Sequence, residues 1–263
     1  MPAQRFRDHV VWITGGGSGL GRALAVEFAR QGADVAVSGR RADRLAEVVA
    51  AVEAEGRRGL AVACDVTDDD EVAAAVAAVI EGFGKLDVAV ANAGFAVAGK
   101  IEVLPIDAWR RQFETNVFGL VSTIRHALPA LRATGGRMAL VASVAGMLAT
   151  PKTGAYSASK YAVRAIGQTL AMELHGSGVS CTTIHPGFVA SEIAQVDNDG
   201  CFDASRRDPR PNKLMWSAEA AARVMTRAIA KRRREYTFTG HGKLGGFLGR
   251  HAPGLVHLLM RRG

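Results

Sequence analysis

From Val10 onward, short runs of branched apolar residues alternate with longer stretches whose apolar positions recur every three or four residues. The short runs Val10-Val11-Trp12-Ile13, Asp34 to Ser38, Gly59 to Val66, Leu86 to Ala91, Met138 to Ala142 and Val179 to Ile184 read as strands. Tyr236 to Thr239 reads as a seventh. Helices are predicted over Arg22 to Gln31, Ala42 to Glu55, Thr67 to about Glu81, Thr153 to His175 and Ser217 to Arg233. A long one runs from about Ile106 to Thr134, with a break near Pro129. Thr67 is the expected cap of its helix, and Asp68, Asp69, Asp70 and Glu71 suit the positive N-terminal end. Strands apolar on both faces, alternating with amphipathic helices, imply a parallel sheet covered on both sides. Residues 188–214 are rich in Asp, Asn and Pro and read as a loop with short helical turns. No linker or internal repeat divides the chain.

Composition adds limits. With 263 residues and 48% hydrophobic content, the chain can bury a sizeable core. No apolar run reaches the ~18–20 residues of a membrane span. The first nine residues carry Arg5, Arg7 and Asp8 and lack an apolar signal segment. Three cysteines, Cys64, Cys181 and Cys201, form no C-x-x-C pair. A reduced, cytoplasmic protein without a metal site is the expectation. The net charge of +8 is concentrated: residues 205–263 carry 14 Lys/Arg and 3 Asp/Glu, a balance of +11, against −3 for residues 1–204. The main body therefore has no nucleic-acid-binding charge pattern.

The turn after the first strand is Thr14-Gly15-Gly16-Gly17-Ser18-Gly19-Leu20-Gly21. Glycines let a backbone approach a pyrophosphate, and a following helix N-terminus offers N–H donors. The spacing is G-x-x-x-G-x-G, not G-x-G-x-x-G. The second strand ends Ser38-Gly39-Arg40-Arg41, without the carboxylate that binds ribose hydroxyls in NAD sites. Guanidinium groups there suit a 2′-phosphate, so NADP(H) is preferred and NAD(H) stays possible. The alternative reading of Arg40 and Arg41 is a solvated helix start. Asp65-Val66 stands either near an adenine or at a helix entry.

Tyr156 and Lys160 lie four apart and share one helical face. An ammonium beside a phenol favours the phenolate and lowers the tyrosine pKa toward neutrality, suiting proton exchange with a carbinol or carbonyl oxygen.

Together these residues resemble the short-chain dehydrogenases/reductases over roughly residues 8–240. Thr14-Gly15…Gly19-Leu20-Gly21 is similar to the family's cofactor turn, and Asn92-Ala93-Gly94 to its N-A-G segment. Asn116, Ser143, Tyr156 and Lys160 stand where its catalytic residues stand, and Pro186-Gly187 resembles the turn that meets the nicotinamide. Val189 belongs to the same cofactor wall, and Ser191 replaces a common threonine. Ala91 stands where the asparagine is usually doubled. The resemblance implies a doubly wound (Rossmann) three-layer α/β fold with a seven-stranded, mostly parallel sheet. It also implies roles. Tyr156 is the general acid and base, Lys160 lowers its pKa and binds the nicotinamide ribose, Ser143 binds the substrate oxygen, and Asn116 holds a relay water. It implies a small carbonyl/alcohol substrate and a homodimer or homotetramer.

Residues 1–240 are expected to form the catalytic domain, 188–216 its substrate-binding loop, and 241–263 a basic, apolar tail. Phe188, Ile193, Phe202 and Trp216 suggest a partly apolar substrate; Arg206, Arg207 and Arg210 read as a solvated basic loop rather than partners of an acidic group. In the tail, Lys243, Arg250, Arg261 and Arg262 mix with Leu244, Phe247, Leu255, Leu258 and Leu259, and Pro253 can start a short helix. Packing on a sister subunit or contact with a membrane surface would use this pattern. The alternatives to an ordinary reductase are a membrane-surface reductase of a 3-ketosphinganine-like lipid and a dinucleotide sensor without turnover.

Overall fold

A computed structural model describes residues 4–260. Seven strands form one sheet: β1 (Val10–Thr14), β2 (Asp34–Gly39), β3 (Gly59–Ala63), β4 (Val88–Ala91), β5 (Arg137–Val141), β6 (Ser180–His185) and β7 (Glu235–Thr237). Their order is β3-β2-β1-β4-β5-β6-β7. Every pairing is parallel, where a mostly parallel sheet was expected, because each strand returns through a crossover. The chain reverses its direction of travel across the sheet between β1 and β4. There a crevice opens at the carboxyl ends of the strands.

The helices α1 (Gly19–Arg30), α2 (Ala42–Glu53), α3 (Asp69–Phe83), α4 (Ile106–Phe113), α5 (Gly119–Thr134), α6 (Gly154–Glu173), α7 (Ala218–Ala230), α8 (Gly240–His251) and α9 (Pro253–Met260) flank the sheet and continue into the tail. One core joins α1, α2 and α7 to Val11, Ile13, Val35 and Val37. The opposite core joins α3, α5 and α6 to Trp12, Ala89, Met138 and Leu140. Alternate residues of one strand thus enter opposite cores, as the period of two requires. Among the described residues no helix is long and apolar enough to cross a membrane.

Four expectations are corrected. The long helix breaks at a π-helical turn, Glu114–Phe118, between α4 and α5, and runs through Pro129. Pro129 and Arg125, four residues before it, are both exposed, so water can take the carbonyl that proline leaves free. The cap of α3 is Asp68, whose carboxylate accepts from Asp70 N and Glu71 N; Thr67 instead donates to Asp65. The third strand ends at Ala63, and β7 spans Glu235–Thr237, one residue earlier at its start than the sequence suggests.

Candidate active site

The crevice is a cavity of about 740 Å³. Its floor begins with the glycine turn. Gly15 and Gly19 have φ of 63° and 49°, left-handed values that disfavour side chains. A Cβ on Gly21 would collide with the Gly15 carbonyl, so helix and turn meet only through glycine. No side chain caps the N-terminus of α1, which leaves its first N–H groups for an anion. These observations fit a pyrophosphate.

Thr14 does not line the cavity, contrary to its expected place among the cofactor ligands. It is 1% exposed, and its Oγ1 accepts from Asn92 N (3.1 Å) and Ala93 N (3.2 Å). Asn92 Nδ2 returns hydrogen bonds to the carbonyls of Thr14 and Gly15. Thr14 therefore fixes the ends of β1 and β4 rather than touching a ligand.

Gly15, Gly17, Ser18, Gly19, Leu20, Gly21, Gly39, Arg40, Arg41, Asp65, Val66, Asn92, Ala93, Gly94, Ser143, Tyr156, Lys160, Pro186, Gly187, Val189 and Ser191 all stand on the cavity wall. Arg41 Nη2 donates to Ser18 Oγ (3.0 Å) and Glu192 Oε2 (2.8 Å). Arg40 is more exposed; its guanidinium lies 3.9 Å from Asp65 and 3.5 Å from the Gly200 carbonyl. Asp65 borders the cavity, and its carboxylate takes the expected helix-entry place by accepting from Thr67.

The reacting end is built on α6 and the turn after β5. Ser143 Oγ accepts from Ala145 N (3.1 Å) and shares the cavity wall with Tyr156. Lys160 is 5% exposed, donates to the Val141 carbonyl (2.9 Å) and sits 5.9 Å from the Tyr156 ring centre. Burial pulls the Lys160 pKa down to about 8. Burial also raises the Tyr156 pKa, against the expectation that Lys160 would lower it. The influences that oppose this rise are the Ser143 hydroxyl and the charge of Arg210.

Asn116 lies in the π-helical turn and off the cavity wall. Its Oδ1 accepts from Phe95 N (3.1 Å), and its Nδ2 donates to Phe95 O (3.1 Å) and Ser159 Oγ (3.1 Å). Ser159 Oγ in turn donates to the Tyr156 carbonyl (2.7 Å). The amide of Asn116 thus ties the tyrosine-bearing turn to the segment after β4. With that amide engaged, a relay water at Asn116 would have to use its main-chain carbonyl. A π-turn inserts a residue and breaks the i→i+4 ladder, which frees such groups.

Sequence reasoning missed several wall residues, among them Phe95, Arg111 and Glu192, whereas Phe202, named in the substrate loop, does stand on the wall. Arg210 is not solvated as expected: its side chain is 17% exposed. It clasps Asp208 and donates to the carbonyls of Val189 and Ser191. Glu192 is 151 residues from its partner Arg41, so no local pattern signals the pair.

A family model for short chain dehydrogenases matches residues 9–201. The chain is 39% identical over 183 residues to a 3beta-hydroxysteroid dehydrogenase of Mediterraneibacter gnavus, covering 69% of this chain and 66% of that protein, just under two thirds of its length. It is 40% identical over 203 residues to an uncharacterized NAD-dependent oxidoreductase of Mycobacterium tuberculosis, covering 72% and 74%. Its fold matches a short chain dehydrogenase/reductase from Burkholderia phymatum in complex with NAD, with a TM-score of 0.80, 29% identity and 89% of each chain covered. The chain belongs to the short-chain dehydrogenase/reductase family. It is an oxidoreductase of hydroxyl and carbonyl substrates on an NAD(P)-binding Rossmann fold.

Proposed function

We propose that this protein is an NADP(H)-dependent oxidoreductase that interconverts a secondary alcohol and a ketone, or an aldehyde and its alcohol, on a partly apolar small molecule. The observation that carries the reading is the convergence of Ser143, Tyr156 and Lys160 on the same cavity as the glycine turn. The dinucleotide, when bound, supplies or accepts the hydride. Ser143 orients the substrate oxygen and stabilises charge on it. Tyr156 Oη gives its proton to that oxygen in reduction and removes it in oxidation. Burial keeps the phenol protonated near neutral pH, which suits the reductive direction. Lys160, with a pKa of about 8, exchanges protons near the working pH, and Asn116 supports a path to solvent through its main chain.

The NADP(H) preference rests on the absence of a carboxylate at the end of β2 and on Arg40 and Arg41 at the cavity rim. The Mycobacterium tuberculosis relative is described as NAD-dependent, and coenzyme titration decides between the two. A hydroxysteroid, the substrate class of the Mediterraneibacter gnavus relative, is one candidate for the apolar substrate. Residues 1–240 would form the catalytic domain of a homo-oligomer, with 188–216 as its substrate-binding loop. The test is turnover of NADPH and NADH against carbonyl compounds from short aldehydes to steroids and 3-keto lipids, with Tyr156→Phe as control. Strong preference for NADH would overturn the coenzyme assignment, and undiminished turnover by the variant would overturn the assignment of the acid.

A second reading, a reductase working at a membrane surface, is favoured by the tail. Leu244, Phe247, Leu255, Leu258 and Leu259 are exposed on α8 and α9. Residues 236–263 contain four Lys/Arg and no Asp/Glu, although Arg261 and Arg262 lie outside the described residues. Such a surface complements anionic lipid. Equal recovery in the supernatant with and without anionic vesicles would exclude this reading.

A further inference from the structure

Gly242, Gly245, Gly246 and Gly249 recur at i, i+3, i+4 and i+7 and so share one face of α8. That face lies on the turn following Ser143. A Cβ at Gly242 would press on Val144, one at Gly245 on Leu148, one at Gly246 on Met147 Sδ, and one at Gly249 would collide with the Met147 carbonyl. The start of α8 reaches the other active-site turn. His241 Nε2 accepts from Phe188 N (3.0 Å), and its ring stacks on Phe188 with centres 5.1 Å apart. Gly187 has no room for a Cβ, which would strike His241 Nε2 and Thr239 Oγ1.

Thr239 makes this approach possible at a conformational cost. It is a β-branched residue at φ 66° and 3% exposed. Its Oγ1 accepts from Gly242 N (3.0 Å) and lies 3.3 Å from His241 Nε2. Because Phe188 N–H can only donate, Nε2 carries the lone pair and the ring proton sits on Nδ1. The hydroxyl of Thr239 then donates to the same nitrogen.

We propose that His241 is a positioning residue for the dinucleotide: as a neutral imidazole it holds the Pro186-Gly187-Phe188 turn, and in acid it releases it. This rests on the dinucleotide reading above. Protonation would set an N–H of the ring against the Phe188 N–H, donor facing donor. Burial already disfavours the charged ring and lowers its pKa from the usual histidine value. The turns packed on His241, residues 143–148 and 186–188, carry no titratable group. On α8 itself Lys243 and Arg250 are exposed. Arg250 is drawn to Glu235 on β7 (2.7 Å), which also accepts from Arg164 (2.8 Å) and lies 2.9 Å from His185 Nε2.

The experiment is fluorescence titration of the full chain with NADPH and NADH between about pH 5 and 8, for wild type, His241→Gln and His241→Leu. NADH is included because a 2′-phosphate itself titrates near pH ~6. Wild-type affinity for both coenzymes should fall about tenfold per pH unit below the titration of His241. Glutamine accepts from Phe188 N–H without titrating, so His241→Gln should lose that slope. Leucine leaves the N–H unpartnered and should bind about tenfold more weakly than wild type above the titration of His241, with no slope below it. The same slope in wild type and His241→Gln, or unchanged binding by a folded His241→Leu, overturns the proposal. If His241→Leu melts early, the glutamine comparison decides alone. If wild type binds neither coenzyme at any pH, the dinucleotide reading falls, and this inference with it.

Discussion

The floor and the roof of the cleft are held by different forces. In the floor, Thr14, Asn116 and Lys160 are 1%, 0% and 5% exposed, and each bonds main-chain groups of a neighbouring segment. In the roof, residues 192–214 form two short 3-10 turns and one antiparallel bridge, Val196 to Phe202, without a buried residue. Ion pairs hold them down, Arg41–Glu192 at 2.8 Å and Arg111–Asp199 at 2.6 Å, while Arg210–Asp208 at 2.7 Å braces the loop internally. Leaving a buried N–H without its acceptor costs about 1–3 kcal/mol, whereas an exposed ion pair contributes about 0–1 kcal/mol and is screened by salt. The reacting atoms are thus fixed firmly while access to them is regulated weakly. A family that varies its substrates can change the roof at little cost to the chemistry below.

The comparison can be broken at several points. Tyr156→Phe should lower kcat by about 10²–10⁴-fold while coenzyme binding survives, since only the proton donor is removed. Stopped-flow hydride transfer with a bound ketone measures this, and a small loss would put the acid elsewhere. Replacing Arg40 and Arg41 together by alanine should weaken NADPH about 10–100-fold and NADH far less, by loss of charge-assisted bonds. An equal loss for both coenzymes would assign Arg41 to the roof alone, through Glu192. Thr14→Val should cost about 1–3 kcal/mol, because Asn92 N–H and Ala93 N–H lose their acceptor. Urea melts at equal slope would record it; a melt like that of wild type would refute the buried-floor account. Glu192→Gln should change stability by less than about 1 kcal/mol and alter the coenzyme KM only a few-fold, with that difference fading in high salt. A loss as large as that of Thr14→Val would erase the contrast between roof and floor.

Legibility followed the range of the forces. The glycine turn was readable because positive φ at Gly15 and Gly19 is a local demand met by one residue type. The pair Tyr156 and Lys160 was readable because a helix brings positions four apart together. The break at 114–118 was not readable: it accompanies the pairing of Asn116 with Phe95, and proline is the stronger local signal. The pull of Arg210 on Tyr156 was missed for the same reason. It depends on the loop folding back over the cavity, which no spacing in 188–214 records.

By itself the sequence determined the alternation of strand and helix, the parallel sheet, the glycine turn and the placing of Tyr156 and Lys160 on one helical face. Each follows from local periodicity or from a backbone conformation only one residue type tolerates. The tertiary structure alone decided the direction in which the Tyr156 pKa moves, because burial is a property of the assembled core and outweighs the neighbouring charge. It also moved Thr14 and Asn116 from the cavity wall to its supports, and set the glycine face of α8 against the turn that carries Ser143. These depend on distances between segments far apart in the chain, which only packing fixes.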